Sequence, residues 1–173
     1  MTDAGAPRTL ILLRHGTAES PPGVPDRDRP LAARGRQQAE LAGGWIERHQ
    51  PPVEQILCST ALRTRQTAAH LGIAAPVSHQ ARIYEAEPEV LLDLLRDLDE
   101  QRTVLLVGHA PGLPQLAGQL AGSGSDEGAL DRLRAGFPAA ALAVLHLRGE
   151  WWSLGPGSCT LLDVVHPDAA PTR

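Results

Sequence analysis

Leu10-Ile11-Leu12-Leu13-Arg14-His15-Gly16 is the stretch on which the reading of this chain turns. An unbroken apolar run bounded by polar residues predicts a buried strand. A cation, an imidazole and a glycine at its exit sit where an open α/β sheet places its chemistry, beyond the carboxyl ends of the strands. Arginine offers a planar fork that fits phosphate oxygens, and histidine serves as nucleophile, acid or base. Gly16 lets the backbone turn sharply or approach a ligand closely.

Outward from that strand, the chain alternates. Thr17 to Pro30, rich in proline, glycine and charge, reads as a loop. A helix is predicted from about Arg34 to His49, with Leu41, Ala42, Trp45 and Ile46 on one face, and Pro51-Pro52 stops it. Gln55 to Cys58 reads as a second strand, with Ser59 or Thr60 as the N-cap of a helix that carries Arg63, Arg65 and Gln66 and ends near Gly72. An extended stretch near Pro76 to Ser78 leads through Ile83-Tyr84-Glu85 to a helix starting at Pro88, where Leu91, Leu94, Leu95 and Leu98 fall at helical spacing. Thr103 to Val107 is the strongest strand and exits into Gly108-His109. A helix follows Pro111, with Leu113, Leu116, Ala117, Leu120 and Ala121 at helical spacing. Gly122 to Gly128 reads as a loop and a short helix runs to Arg134. Strands are expected at Ala139 to Leu147, Trp151 to Leu154 and Leu161 to Val165.

Strand and helix alternating through residue 121 imply parallel βαβ units, and the closely spaced last strands imply an antiparallel edge. The fold class expected is α/β, a three-layer α/β/α sandwich on a mostly parallel mixed sheet. With 173 residues, 42% of them hydrophobic and 21% charged, a single domain over 1–173 is expected, with flexible tails at 1–7 and 167–173.

Composition narrows the function. A net charge of −4 speaks against nucleic acid or an anionic membrane as partner. No apolar run approaches the roughly 20 residues that span a bilayer. Met1 to Pro7 has neither the basic nor the apolar part of a signal peptide. Cys58 and Cys159 suit a reducing compartment better than a disulfide scaffold, so a cytoplasmic location is expected. All 16 basic residues are arginine, which excludes a P-loop lysine, Schiff-base chemistry and a lysine base. No histidine pair has zinc-helix spacing, and neither a metal nor another cofactor is expected.

Three strand exits carry related chemistry: Arg14-His15-Gly16, Ser59-Thr60 with Arg63 beyond, and Gly108-His109. If those strands are parallel, two histidines and two arginines converge on one sheet edge, near helix N-termini that also favour an anion. Taken singly, a histidine at a strand exit is ordinary in a chain with seven of them, and Arg14, Arg63 or Arg65 is as readily a surface ion pair. His49, His70, His79, His146 and His166 lack this placement and read as surface or structural. The coincidence at three exits is what favours a phosphoryl pocket.

Those three motifs in this order resemble the histidine phosphatase superfamily, with its phosphoglycerate-mutase-like fold. Leu-Arg14-His15-Gly16, Ser59-Thr-Ala-Leu-Arg63-Thr-Arg-Gln-Thr67 and Val-Gly108-His109 match from about residue 8 to 166. Arg29-Pro30-Leu31 with Arg34-Gly35, and Val107-Gly-His-Ala-Pro-Gly-Leu113, are most similar to the short SixA-type phosphohistidine phosphatases. The resemblance implies that His15 is the nucleophile and carries the phosphoryl group, and that Arg14, Arg63 and His109 bind its oxygens. Such fixed donors are worth roughly 3 kcal/mol each in rate. It makes Glu85 the acid that protonates the leaving group, against a surface carboxylate beside Glu87 and Glu89. Gly16, Thr17 and Ser59 complete the phosphate-binding set, although Thr17 and Ser59 read equally as turn or cap residues. A neutral His15 beside a protonated His109 requires environments that separate their pKa values.

The chain is too short for the insertions that cover the pocket of mutases, and it has no asparagine to follow Arg-His-Gly as in many of them. Both departures imply a hydrolase with an open pocket. The expected activity is metal-independent phosphatase chemistry on phosphohistidine proteins. The alternatives are the same chemistry on small phosphomonoesters and a silent phosphate- or phosphoprotein-binding module. The partner is thus a phosphorylated protein or a small phosphate ester. The oligomeric state is not legible, and a monomer is compatible with the sequence.

Overall fold

The computed structural model describes residues 5–168. Its strands are β1 (Arg8–Arg14), β2 (Gln55–Ser59), β3 (Val77–Gln80), β4 (Thr103–Gly108), β5 (Leu142–Leu147) and β6 (Cys159–Val165). Its helices are α1 (Ala33–His49), α2 (Leu62–His70), α3 (Pro88–Arg96), α4 (Gly112–Leu120) and α5 (Glu127–Ala135). The strands form one sheet in the order β3-β2-β4-β1-β5-β6. β1, β2, β3 and β4 run parallel, whereas β5 and β6 form an antiparallel edge.

Alternation along β1 builds the layers, because successive side chains point to opposite faces. Leu10 and Leu12 join Leu95 of α3, Leu113 and Leu116 of α4 and Ala129 of α5. Ile11 and Leu13 join Ala39, Ala42 and Ile46 of α1 on the other face. All four β1 side chains are completely buried, and each contributes about 1.5–3 kcal/mol of transfer free energy. The result is the three-layer sandwich with a mixed sheet that the sequence predicts. Cys58 and Cys159 belong to opposite-face clusters as free thiols.

Helix starts follow local chemistry. Pro88 opens α3 where a missing N–H costs nothing. Asp126 caps α5 by accepting the Ala129 amide at 2.7 Å.

Several local expectations need correction. Trp151 to Leu154 is no strand but a 3-10 turn over Trp151–Ser153. Trp151 and Leu154 are buried while Trp152, 73% exposed, and Ser153 face solvent, the spacing of a turn and not of a strand. The indole of Trp151 donates to the Gln101 carbonyl at 2.7 Å, and the Leu154 amide closes the turn on Trp151. The N-cap of α2 is Ala61, because Ser59 still belongs to β2 and its hydroxyl instead accepts the Ala61 amide. β5 starts only at Leu142, since Ala140 takes a φ of +60° in a preceding turn. α3 ends at Arg96, before Leu98. The loop beginning at Gly122 gives way to α5 at Glu127. The tails expected to be flexible fall largely outside the described residues, but Asp168 is hydrogen-bonded to Gln38 and Arg34. No described helix is long and apolar enough to cross a membrane.

Candidate active site

Parallel pairing brings the exits of β1, β2 and β4 to one edge. Arg14 stands opposite Gly108 in the central ladder, and the His15 amide donates to the Gly108 carbonyl at 3.0 Å. The rings of His15 and His109 consequently meet edge to face with centroids 5.3 Å apart. α2 starts just beyond β2 and carries Arg63 to the same spot, 5% exposed. Arg14, His15, Thr17, Asp26, Arg29, Arg63, Glu85 and His109 line a cavity of about 590 Å3, closed off by Ala18, Ala110, Pro111 and Ala139.

The hydrogen bonds of His15 fix its tautomer. Its Nδ1 lies 2.7 Å from the Gly16 carbonyl oxygen, which only accepts, so Nδ1 carries the hydrogen. In the neutral ring Nε2 therefore holds a lone pair, and Arg63 Nε points at it from 3.3 Å. Burial, reinforced by Arg63, Arg14 and Arg29, pushes His15 down to about 4 against the opposing Gly16 hydrogen bond. Burial, with His15, Arg63 and Arg14, pushes His109 down to about 3, although Asp26 pulls the other way. The two environments thus shift both rings in the same direction. The protein groups alone do not build the expected division between a neutral and a protonated histidine; a bound dianion would favour the cationic form of His109.

Arg63 is held from behind by Asp26. Its Nη1 donates to the Asp26 carbonyl at 2.6 Å and its Nη2 to the carboxylate at 3.0 Å. Asp26 also accepts from the Tyr84 hydroxyl at 2.5 Å and from Arg29 at 3.1 Å. The Tyr84 hydrogen bond, with Arg29 and Arg63, holds its carboxyl well below the usual carboxylate range. The Nη1 of Arg14 donates to the Phe137 carbonyl at 2.9 Å, while its buried Nε has no hydrogen-bond partner.

The remaining expected site residues divide. Glu85 lines the cavity from a left-handed backbone conformation with φ of +51°, a costly geometry for a non-glycine residue that often marks a functional turn. The Gly16 amide donates to Thr67 Oγ1 at 3.1 Å, so it is already committed within the protein. Thr17 reaches the cavity, but its amide and hydroxyl both donate to Gln38 Oε1, at 2.8 and 2.9 Å. Ser59 is fully buried and does not line the cavity; its hydroxyl sits 2.8 Å from His109 Nε2 and orients that ring. Cys58 next to it is inert, since burial pushes the thiol up to about 12. The Gly122 loop is not part of the pocket lining, whereas the loop from Thr17 is.

Sequence reasoning missed Asp26, Arg29 and Tyr84 as parts of the site. Asp26 and Arg29 are signalled by a run of alternating charge, Asp26-Arg27-Asp28-Arg29, inside a proline-rich loop, and Tyr84 by its place beside Glu85.

This arrangement can hold a tetrahedral anion between guanidinium groups while presenting an unprotonated imidazole nitrogen to its central atom. The comparisons agree. The family model described as histidine phosphatase superfamily (branch 1) matches residues 10–94. A Nakamurella multipartitia structure named for the phosphohistidine phosphatase SixA is 39% identical, covering 96% of this chain and 100% of that one, with a TM-score of 0.86. The chain belongs to the histidine phosphatase superfamily. It is a phosphatase with the phosphoglycerate-mutase-like fold. An Agrobacterium tumefaciens structure also named for SixA is similar to this histidine phosphatase at 31% identity, with a TM-score of 0.76 over 93% of this chain and 99% of that one. An uncharacterized Mycobacterium tuberculosis protein is 42% identical over 152 residues, which are 87% of this chain and 96% of that protein.

Proposed function

We propose that this histidine phosphatase hydrolyses phosphohistidine on proteins through a covalent phosphohistidine at His15, without a metal. The observation that carries the reading is the paired fixing of His15: Nδ1–H on the Gly16 carbonyl and Nε2 facing Arg63 in the cavity. The Nε2 lone pair forms the new bond to phosphorus as the bond to the leaving nitrogen or oxygen breaks. Arg14, Arg63 and His109 bind the phosphoryl oxygens as charge shifts onto them, the largest catalytic contribution in sites of this kind. Water then attacks phosphorus, inorganic phosphate departs, and His15 returns to its neutral form with the water proton passed to a carboxylate or solvent.

The substrate assignment rests on access and on the leaving group. Asp26 and Glu85 at the cavity are exposed, leaving the mouth open. A protonated phosphohistidine leaves as neutral imidazole and needs little help. A small phosphomonoester leaves as an alkoxide and needs a proton, and Glu85 in the lining supports this second reading.

Incubation of the enzyme with labelled phosphoryl donor should place acid-labile, base-stable label on His15. His15→Ala should take up no label and lose hydrolysis of an aryl phosphate while unfolding at the parent temperature. Acid-stable label, or turnover undiminished in His15→Ala, would refute the mechanism.

A further inference from the structure

Behind His15, on the side opposite Arg63, a line of hydrogen bonds leads out of the site to the end of the described chain. The His15 Nδ1–H donates to the Gly16 carbonyl at 2.7 Å. The N–H of that same Gly16–Thr17 peptide donates to Gln38 Oε1 at 2.8 Å. The Gln38 amide nitrogen in turn donates to the Asp168 carboxylate. Every donor points the same way, from imidazole through a peptide and a side-chain amide to a formal negative charge. We infer that Asp168 is a positioning residue for His15, acting through Gln38 and the Gly16–Thr17 peptide to orient and polarise the imidazole. The inference rests on the reading of His15 as the nucleophile.

The line is over-determined at each link. Gln38 is 2% exposed, and its oxygen accepts both the amide and the hydroxyl of Thr17. Reversing that amide would set an NH2 against the Thr17 N–H and a carbonyl against the Asp168 carboxylate. A buried donor left without a partner costs about 1–3 kcal/mol. The Thr17 N–H and Asp168 therefore hold Gln38 in the same orientation from its two ends. The peptides on either side are held as well: the Gly16 amide donates to Thr67 Oγ1 at 3.1 Å and the Thr17 carbonyl accepts the Ala32 amide at 2.9 Å. In sum the line favours hydrogen on Nδ1 and leaves Nε2 the lone pair.

Polarisation passes along aligned hydrogen bonds, each strengthening the next. Phosphoryl transfer to Nε2 turns a neutral ring into a cationic one whose Nδ1–H is more acidic, so the line is stronger after attack than before it. Arg34, one helical turn before Gln38, also reaches the Asp168 carboxylate at 3.2 Å and takes up part of its charge. Arg63, Arg14 and Arg29 face the ring from the pocket side and oppose its protonation, and His109 meets it edge to face. The effect of Asp168 is a modest correction to that field rather than a reversal of it.

The test combines ring 15N NMR of the full chain with steady-state kinetics for the parent, Asp168→Ala, Asp168→Asn and Asp168→Glu. Asp168 lies on the surface, and thermal unfolding checks that each variant folds. In Asp168→Ala the ring 15N shifts of His15 should move as its Nδ1–H bond weakens, the protonation midpoint of His15 should drop, and kcat should fall by about threefold to tenfold with KM little changed. Asp168→Asn keeps an acceptor without charge and should fall between, while Asp168→Glu should restore both ring and rate. An unchanged His15 spectrum in Asp168→Ala overturns the relay, whatever the rate does. A shifted spectrum with unchanged kcat overturns its catalytic role. Failure of the nucleophile reading itself is seen separately, as turnover surviving in His15→Ala.

Discussion

His15 and His109 are the residues at which physical environment and chemistry meet most directly. Both fold to values well below the ordinary 6.5, to about 4 and about 3, chiefly because burial disfavours the charged ring. At pH values between about 4 and 6.5 the unfolded chain takes up protons that the folded rings refuse, so folding weakens as pH falls through that window. Thermal unfolding should therefore show a midpoint that drops from pH 6.5 toward pH 4. The drop should be shallower in His15→Ala and His109→Ala, each of which removes one such ring. Equal slopes in parent and variants would show that carboxylates alone set the acid sensitivity. The identities of Arg14, His15, Arg63 and His109 as neighbours were legible in the sequence, because a parallel sheet delivers its strand exits to one edge. Asp26 was not, because its partner Arg63 is 37 positions away and the link depends on how an irregular loop folds back.

Elements were legible where one periodicity governs and illegible where tertiary contacts override it. β1 and β4 are built on unbroken apolar runs, and their ends were read to within two residues and one residue respectively. The Trp151 turn was misread because an indole hydrogen bond and the turn closure bury only the first and last of its four residues. Close packing at the start of α1 was equally hidden. A Cβ on Gly35 would come within 2.2 Å of the Thr17 carbonyl oxygen, and one on Gly16 within 2.6 Å of the Gly35 carbonyl oxygen. The helix and the turn after His15 therefore share a contact that only glycines allow. Gly35→Ala should push the turn off its position, lowering both the unfolding temperature and kcat. Gly118, exposed in α4 with open space around its Cβ position, is the matching control. Gly118→Ala should raise stability by about 0.5–1 kcal/mol with turnover unaltered.

At the scale of the whole molecule, the pocket stands open because no described segment other than the sheet-edge loops that line it lies across it. The sequence expressed this as a length of 173 residues, too few for the capping insertions of mutases. A phosphohistidine protein, sugar phosphates and nucleotides offered to one preparation should rank with the protein first in kcat/KM. Glu85→Gln should slow the esters at least tenfold more than the phosphohistidine protein, as expected of an acid needed only by the poorer leaving group. Esters ranking first, together with equal sensitivity of both classes to Glu85→Gln, would favour the small-molecule reading.

The order β3-β2-β4-β1-β5-β6 seats β4 and β1, the strands that deliver His109 and His15, side by side in the middle of the sheet. Amides there are sealed by helices on both faces and by strands on both flanks, so they exchange with solvent deuterium only when the whole domain opens. Fraying at β3 leaves these two strands paired. Loss of activity on heating should thus track global denaturation rather than precede it.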